Sequence, residues 1–197
     1  TMVPQSNLKI TCCKYLCRMI IKIDENINLE LINENHSQAI FEMVDNNRTH
    51  LRKWLPFVDK MQSIEFAENF VKGTMQRNLD GNEYAFVITE NGINVGRICV
   101  YKIDLQNKTG EIGYWVIESK QGKGIITKSC KTIINFCFEE LSLNRIEIKC
   151  GTHNLRSKKI PKKFNFTFEG MMRQSEFHYD KFIDLNLYSL LKNIEKV

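Results

Sequence analysis

The sequence predicts a single α/β domain of the α+β type, with a mixed, mostly antiparallel twisted sheet flanked by helices. Three observations carry this reading. The hydrophobic period switches repeatedly between two and about 3.6 residues. Three strand-like segments in the middle of the chain follow one another with only short turns between them. No internal repeat, low-complexity tract or Pro/Gly-rich linker divides the 197 residues, a length that suits one domain.

The elements follow in order. Ile27, Leu29 and Leu31 alternate with polar neighbours, which predicts a strand over Ile27 to Ile32. Ala39, Ile40, Met43 and Val44 stand at helical spacing between His36 and Asn47. A basic and aromatic stretch, Leu51 to Val58, leads to a second helix from Ser63 to Asn78, with Phe66, Phe70, Val71 and Met75 on its apolar stripe. Glu90-Asn91-Gly92 then marks a hairpin between Tyr84 to Thr89 and Ile93 to Ile103, because Asn-Gly tolerates the positive φ of a tight turn. A turn at Asn107 to Gly110 introduces a strand from Glu111 to Ile117. An amphipathic helix over Gly124 to Leu141 presents Ile126, Cys130, Ile133, Ile134, Cys137, Phe138 and Leu141. Arg145 to Cys150 reads as a strand, Leu155 to Lys163 as a short helix, and Phe166 to His178 and Phe182 to Leu191 as two final strands.

Composition narrows the function classes. Hydrophobic residues make up 43% and charged residues 26% of the chain, which excludes disorder and fibre. The apolar runs are too short to span a bilayer. Seven cysteines cannot all pair, and Cys12, Cys13 and Cys17 lack the second half of a zinc pattern, so the expectation is a reduced, cytoplasmic protein without a metal. Residues 1–18 carry three basic residues, three cysteines and no apolar core of a signal peptide. They are read as an extension outside the fold, with Met19 as a natural start and 19–197 as the domain.

The formal charge of +5 is local. Residues 120–131 carry Lys120, Lys123, Lys128 and Lys131 with no acid, and residues 154–163 carry Arg156, Lys158, Lys159, Lys162 and Lys163 with no acid. Such segments provide a field for an anionic ligand. Between them, Gln121-Gly122-Lys123-Gly124-Ile125-Ile126-Thr127 joins a strand to a helix. Gly122 and Gly124 allow close backbone approach, and the first N–H groups of a helix lack internal partners, so this junction suits a phosphate group; the plainer alternative is a loop that only turns the chain. A P-loop would need a glycine five residues before Gly122 or Gly124 and Ser or Thr after Lys123. A dinucleotide fingerprint would need glycine where Thr127 stands.

The loop resembles the acyl-coenzyme A motif of the GCN5-related N-acetyltransferases (GNAT), in which Gln or Arg is followed by two residues, Gly, one residue and a small residue. Gln121 and Gly124 match, and Ile126 takes the place of the small residue. Asn154-Leu155-Arg156-Ser157, Ile160 to Phe166 and Phe168-Glu169-Gly170 resemble the later landmarks of that family, with Asn165 where Gly is usual. With His50 to Pro56 and Gly113 to Val116, the chain is most similar to the RimJ/RimL group of ribosomal-protein N-terminal acetyltransferases, over about residues 25–191. The resemblance implies a GNAT-like sheet whose strands diverge around an acyl-CoA slot, and acetyl-CoA as co-substrate. It implies a cofactor site made by Val116, Ile117, Gln121, Gly122, Lys123, Gly124, Ile125, Ile126, Thr127 and Asn154. It also implies transfer to a primary amine, above all the N-terminal α-amino group of a ribosomal protein, through a ternary complex. A homodimer is plausible on the same grounds.

Pro161 stands where many members have a tyrosine that protonates the departing thiolate, so Ser157, four residues earlier on the same helical face, is the proton donor the resemblance offers. Glu176 is the leading base. By period two it shares a strand face with Gln174 and His178, and its position matches a base proposed for the group. His178 is the alternative base or a substrate contact, and Glu176 as a solvated strand residue is the plain reading. Cys150 invites a covalent mechanism but ranks below direct transfer. Trp54 either lines the acceptor site or packs in the core. Other readings are a small-amine acceptor, such as a polyamine, amino acid or aminoglycoside, or an RNA- or ribosome-binding module built on the five basic residues of 154–163.

Overall fold

The computed structural model describes residues 19–192; the expectations for residues 1–18, including the three cysteines there, lie outside the described residues. Eight strands form one sheet: β1 (Ile20–Lys22), β2 (Ile27–Leu31), β3 (Glu83–Glu90), β4 (Ile93–Asp104), β5 (Thr109–Val116), β6 (Arg145–Gly151), β7 (Thr167–His178) and β8 (Lys181–Leu191). The helices are α1 (Ser37–Asp45), α2 (Arg48–Leu51), α3 (Ile64–Leu79), α4 (Ile125–Asn135) and α5 (Leu155–Lys163). Strand order is β1-β2-β3-β4-β5-β6-β8-β7, and every neighbouring pair is antiparallel except β5 with β6. This is the mixed, mostly antiparallel sheet expected. No helix among the described residues is long and apolar enough to cross a membrane.

The sheet separates two apolar layers. β3 alternates side chains into both and is buried almost end to end. Tyr84, Phe86 and Ile88 join Ile98, Ile112, Ile146 and Ile148 against α4, while Ala85 and Val87 join Cys99 and Trp115 against α1 and α3. The Asn91-Gly92 turn has both residues at positive φ, as the hairpin signal predicts. Cys99, Cys130, Cys137 and Cys150 are buried free thiols. Burial pushes Cys137 up to about 12, so it stays protonated and acts as a small hydrophobe.

Two helices sit differently from the sequence reading. Helix α3 buries Ala67, Val71, Thr74 and Asn78, whereas Phe66 is 37% exposed. Both polar side chains on that stripe bond to backbone, although Asn78 Nδ2 is buried without a partner among the described residues. The Thr74 hydroxyl donates to the Phe70 carbonyl, and Asn78 Oδ1 accepts from the Ala85 N–H of β3. In α4 it is Ile125, not Ile126, that is buried, and the predicted helix to Leu141 gives way after Asn135 to a π-helical turn over Phe136–Glu140. The stretch after α1 contains the short helix α2, and Arg48 holds the following loop by donating to the carbonyls of Val58 and Met61.

β5 and β6 pair through only three rungs, Thr109 with Arg145, Gly110 with Ile146 and Glu111 with Glu147, and then part. The last rung sets two carboxylates opposite each other, an arrangement that repels unless neutralised. Lys149 bridges them at 2.9 Å from Glu111 and 3.2 Å from Glu147. Tyr101 also donates to Glu111, and Lys102 lies 3.2 Å away. Burial alone would raise the Glu111 pKa, but the hydrogen bonds from Tyr101 and Lys149 and the charges of the lysines outweigh it and hold the carboxyl below its usual 4.5.

Glu111 is therefore expected to stabilise the fold most above its unfolded-state pKa, and to lose that contribution as pH falls through the lower folded-state value. Glu111→Gln should cost about 3 kcal/mol near neutral pH in denaturant unfolding, because it strands buried partners of the pair. The gap from wild type should close in acid; a gap that is the same at all pH values would contradict this account.

Candidate active site

Beyond Glu111 the facing edges of β5 and β6 no longer pair, so backbone groups of β5 face an open slot. At the end of β5 the chain makes a tight turn over Glu118–Lys120, passes Gln121 and enters α4 at Gly124. Gly122 and Gly124 have φ of 74° and 78°, a region that side chains with a Cβ seldom adopt. A Cβ on either would meet nothing within 4 Å, so these glycines serve conformation and not packing. Gly124 caps α4 without any side-chain hydrogen bond, which leaves the first N–H groups of an 11-residue helix open to an anion.

A cavity of roughly 850 Å³ lies along this loop and the slot. Of the residues named for the cofactor, Val116, Gln121, Gly122, Gly124, Ile125, Ile126, Thr127 and Asn154 line it, while Ile117 and Lys123 do not. Lys53, Arg156, Lys159 and Lys163 also face it. The loop's own lysines contribute less positive charge than the sequence suggests, because Lys120 pairs with Glu90 and Lys128 with Asp24. The donor set suits a phosphate-bearing ligand: open helix N–H groups, basic side chains and a glycine turn.

Ser157 lines the same cavity. Asn154 Oδ1 caps α5 by accepting from the Ser157 N–H at 3.0 Å. Tyr114, from β5, places its hydroxyl 3.1 Å from Ser157 Oγ and 3.2 Å from the Ser157 carbonyl, which bridges the slot where the strands have parted. Burial raises Tyr114 well above the usual phenol value, so it remains a donor. Burial also raises Cys150, against the lowering influence of Lys158 and Ser157, and Cys150 lines neither cavity; a thiolate nucleophile is disfavoured there.

A second cavity, of roughly 780 Å³, adjoins the first, and Lys53, Trp54 and His153 line both. Its other wall is the β7–β8 hairpin, whose tip reaches back over α2: Tyr179 donates to the Leu55 carbonyl at 2.6 Å, and the Arg52 guanidinium lies 3.9 Å over the Tyr179 ring. His178 is 4% exposed and lines this cavity. Glu176 does not line it; its Oε2 lies 2.7 Å from His178 Nε2. Glu176 and His178 keep the predicted common face, in unbroken register with Ile183 to Lys181, but Gln174 departs from it, because the pairing shifts between Met172 and Glu176 and Gln174 has φ of 48°. A bulge of this kind re-aims side chains and defeats period-two reasoning.

Among the described residues, no three His, Cys, Asp or Glu side chains are grouped to hold a metal. Sequence reasoning did not single out Tyr114, His50, His153, Lys53 or Tyr179. Tyr114 and His50 sit inside segments it did quote, but their partners lie 43 and 71 residues away.

Comparison with known proteins gives a consistent picture. A model of the acetyltransferase (GNAT) domain matches residues 26–167. The ribosomal-protein-serine acetyltransferase of Escherichia coli K12 is 33% identical over 169 residues, covering 86% of this chain and 94% of that protein. The solved structure of RimL, a ribosomal L7/L12 α-N-protein acetyltransferase in complex with coenzyme A, superposes with a TM-score of 0.85 at 27% identity, covering 88% of this chain and 98% of that one. The Salmonella typhimurium acetyltransferase that modifies the N-terminal serine of 50S subunit protein L7/L12 superposes at 0.82 with 27% identity, covering 89% and 100%.

Gly124→Val forces a branched side chain into a left-handed backbone position at the start of α4. Coenzyme A binding measured by calorimetry should weaken at least about tenfold, the equivalent of 1–2 kcal/mol of backbone strain. Unchanged affinity would remove the loop from the cofactor site.

Proposed function

Since this chain belongs to the GNAT acetyltransferase family and is an acetyl-CoA-dependent N-acetyltransferase of the RimL group, we propose that its acceptor is the α-amino group of a protein N-terminus, with a ribosomal protein the favoured class. The observation that carries this is the junction of the two cavities at Lys53, Trp54 and His153, with Ser157 in one and His178 in the other. Near-full-length similarity to the E. coli ribosomal-protein-serine acetyltransferase supports the acceptor class. Asp180 and Asp184 in the acceptor cavity favour a second reading, a cationic small amine.

When bound, acetyl-coenzyme A supplies an acetyl thioester and a thiol leaving group. The residues of the chain do the rest. The N-terminus of α4, with Gln121, Gly122, Gly124 and Thr127, holds the phosphates; Val116 and the unpaired edge of β5 align the arm that leads to the thioester. Trp54 walls the meeting point. The amine must lose a proton before it attacks. Glu176 and His178 serve together as the base: with Nε2–H given to the Glu176 carboxylate, His178 keeps Nδ1 as the proton acceptor. Ser157, held by Asn154 and Tyr114, gives a proton to the departing sulfur.

Ser157→Ala should lower kcat about 100-fold, and Glu176→Gln and His178→Gln should each lower kcat/KM about 10- to 100-fold without multiplying in the double variant. Wild-type kcat/KM across pH in these variants would strip the residues of their roles. Free-thiol release over a panel of N-terminal peptides and small amines tests the acceptor: turnover of peptides above amines supports a protein N-terminus, and the reverse ranking selects the small-amine reading.

A further inference from the structure

The mechanism leaves two buried histidines unused, His36 and His50, and of these His50 lines the cavity along the loop. His50, on α2, is 9% exposed, and its Nε2 lies 2.6 Å from the Gln121 side-chain nitrogen. A glutamine amide nitrogen only donates, so His50 Nε2 accepts and the ring proton sits on Nδ1. Nδ1 faces Glu118 Oε1 at 4.0 Å. With the amide turned over, Gln121 Oε1 would accept from a ring N–H, and the link would persist. Burial lowers the His50 pKa; Lys53 on the segment after α2 and Arg156 on α5 act the same way, and Glu118 opposes them, so the neutral ring is favoured.

One further contact and one unpartnered atom mark the same turn. Asn47, just before α2, accepts the Glu118 N–H on its Oδ1 at 3.1 Å. The remaining amide atom of Gln121, Oε1, is buried without a partner among the described residues. The segment around α2 thus grips the turn from Glu118 to Gln121 at both ends, and it runs directly on to Lys53 and Trp54, which line both cavities.

We propose that His50 is a positioning residue for acetyl-coenzyme A that acts through Gln121, holding the turn that leads into Gly122 and Gly124 in the shape that receives the phosphates. The proposal rests on the cofactor assignment above. It makes α2 the tie between the cofactor loop and the acceptor wall.

A double-mutant cycle on coenzyme A binding tests it, with calorimetry on wild type, His50→Leu, Gln121→Leu and the double variant, and with His50→Gln as the conservative change that retains a hydrogen-bonding group at similar reach. His50→Leu and Gln121→Leu should each weaken binding about 5- to 20-fold, the scale of one lost hydrogen bond with its stranded partner, and the double variant should be no weaker than either by more than about twofold. His50→Gln should stay within about threefold of wild type, and kcat at saturating acetyl-coenzyme A should change less than KM in His50→Leu. Wild-type affinity in His50→Leu, or losses that multiply in the double variant, overturn the inference. Should His50→Leu fail to melt cooperatively, Gln121→Leu and His50→Gln decide: unchanged affinity in the first, or loss in the second equal to that of Gln121→Leu, also overturns it. A wild-type protein that binds no coenzyme A is a separate failure, that of the cofactor assignment.

Discussion

Three rungs of parallel pairing decide where the rest of the active site can be. β5 and β6 are each fully occupied on the outer edge, β5 by β4 and β6 by β8, but they share only Thr109 to Glu111 and Arg145 to Glu147. Each additional rung would close the slot that the cofactor loop and Ser157 face. The split is anchored at its apex by a buried carboxylate that three side chains neutralise, and it is spanned further up by the Tyr114 hydroxyl instead of backbone bonds. A side-chain bridge holds two layers at a fixed separation without sealing the space between them.

The two faces of the sheet then divide the labour. The layer carrying α4 and α5 supplies an open helix terminus, the serine and most of the basic residues. The layer carrying α1 to α3 supplies the wall from His50 to Trp54, against which the β7–β8 hairpin closes. Charge follows this division. Lysines that looked like one continuous field along the loop are partly spent on Glu90 and Asp24, and the cations left facing the cavity come from two separate segments, Lys53 after α2 and Arg156, Lys159 and Lys163 on α5. Folding, and not composition, assembles the anion site.

Local chemistry was legible in the sequence to the extent that it was local. The Asn91-Gly92 turn, the alternation of Ile27, Leu29 and Leu31 and the two glycines before α4 each act within a few residues, and each appears where the pattern put it. What escaped depends on distance or on interruption. That β8 lies between β6 and β7 follows from pairing, which the hairpin signal alone does not order. The buried stripe of α3 is rotated from the apolar pattern because Thr74 and Asn78, polar by type, each bond a backbone group through one oxygen and so can be buried. The bulge near Gln174 changed which side chains of β7 face the cavity, and a single irregular residue is enough to do so. Tyr114 with Ser157 and His50 with Gln121 meet only after the sheet has formed.

The hairpin of β7 and β8 is set apart from the loop before α4. Gln174 and the run from His178 to Asp184 make up one contiguous wall of the second cavity, and none of these residues borders the cavity along the loop. On the proposed reading, a change in length or charge at the Tyr179-Asp180 turn reshapes the space open to the amine and touches no residue that lines the cavity at Gly122 and Gly124, so acceptor choice and donor binding are physically separable in this fold.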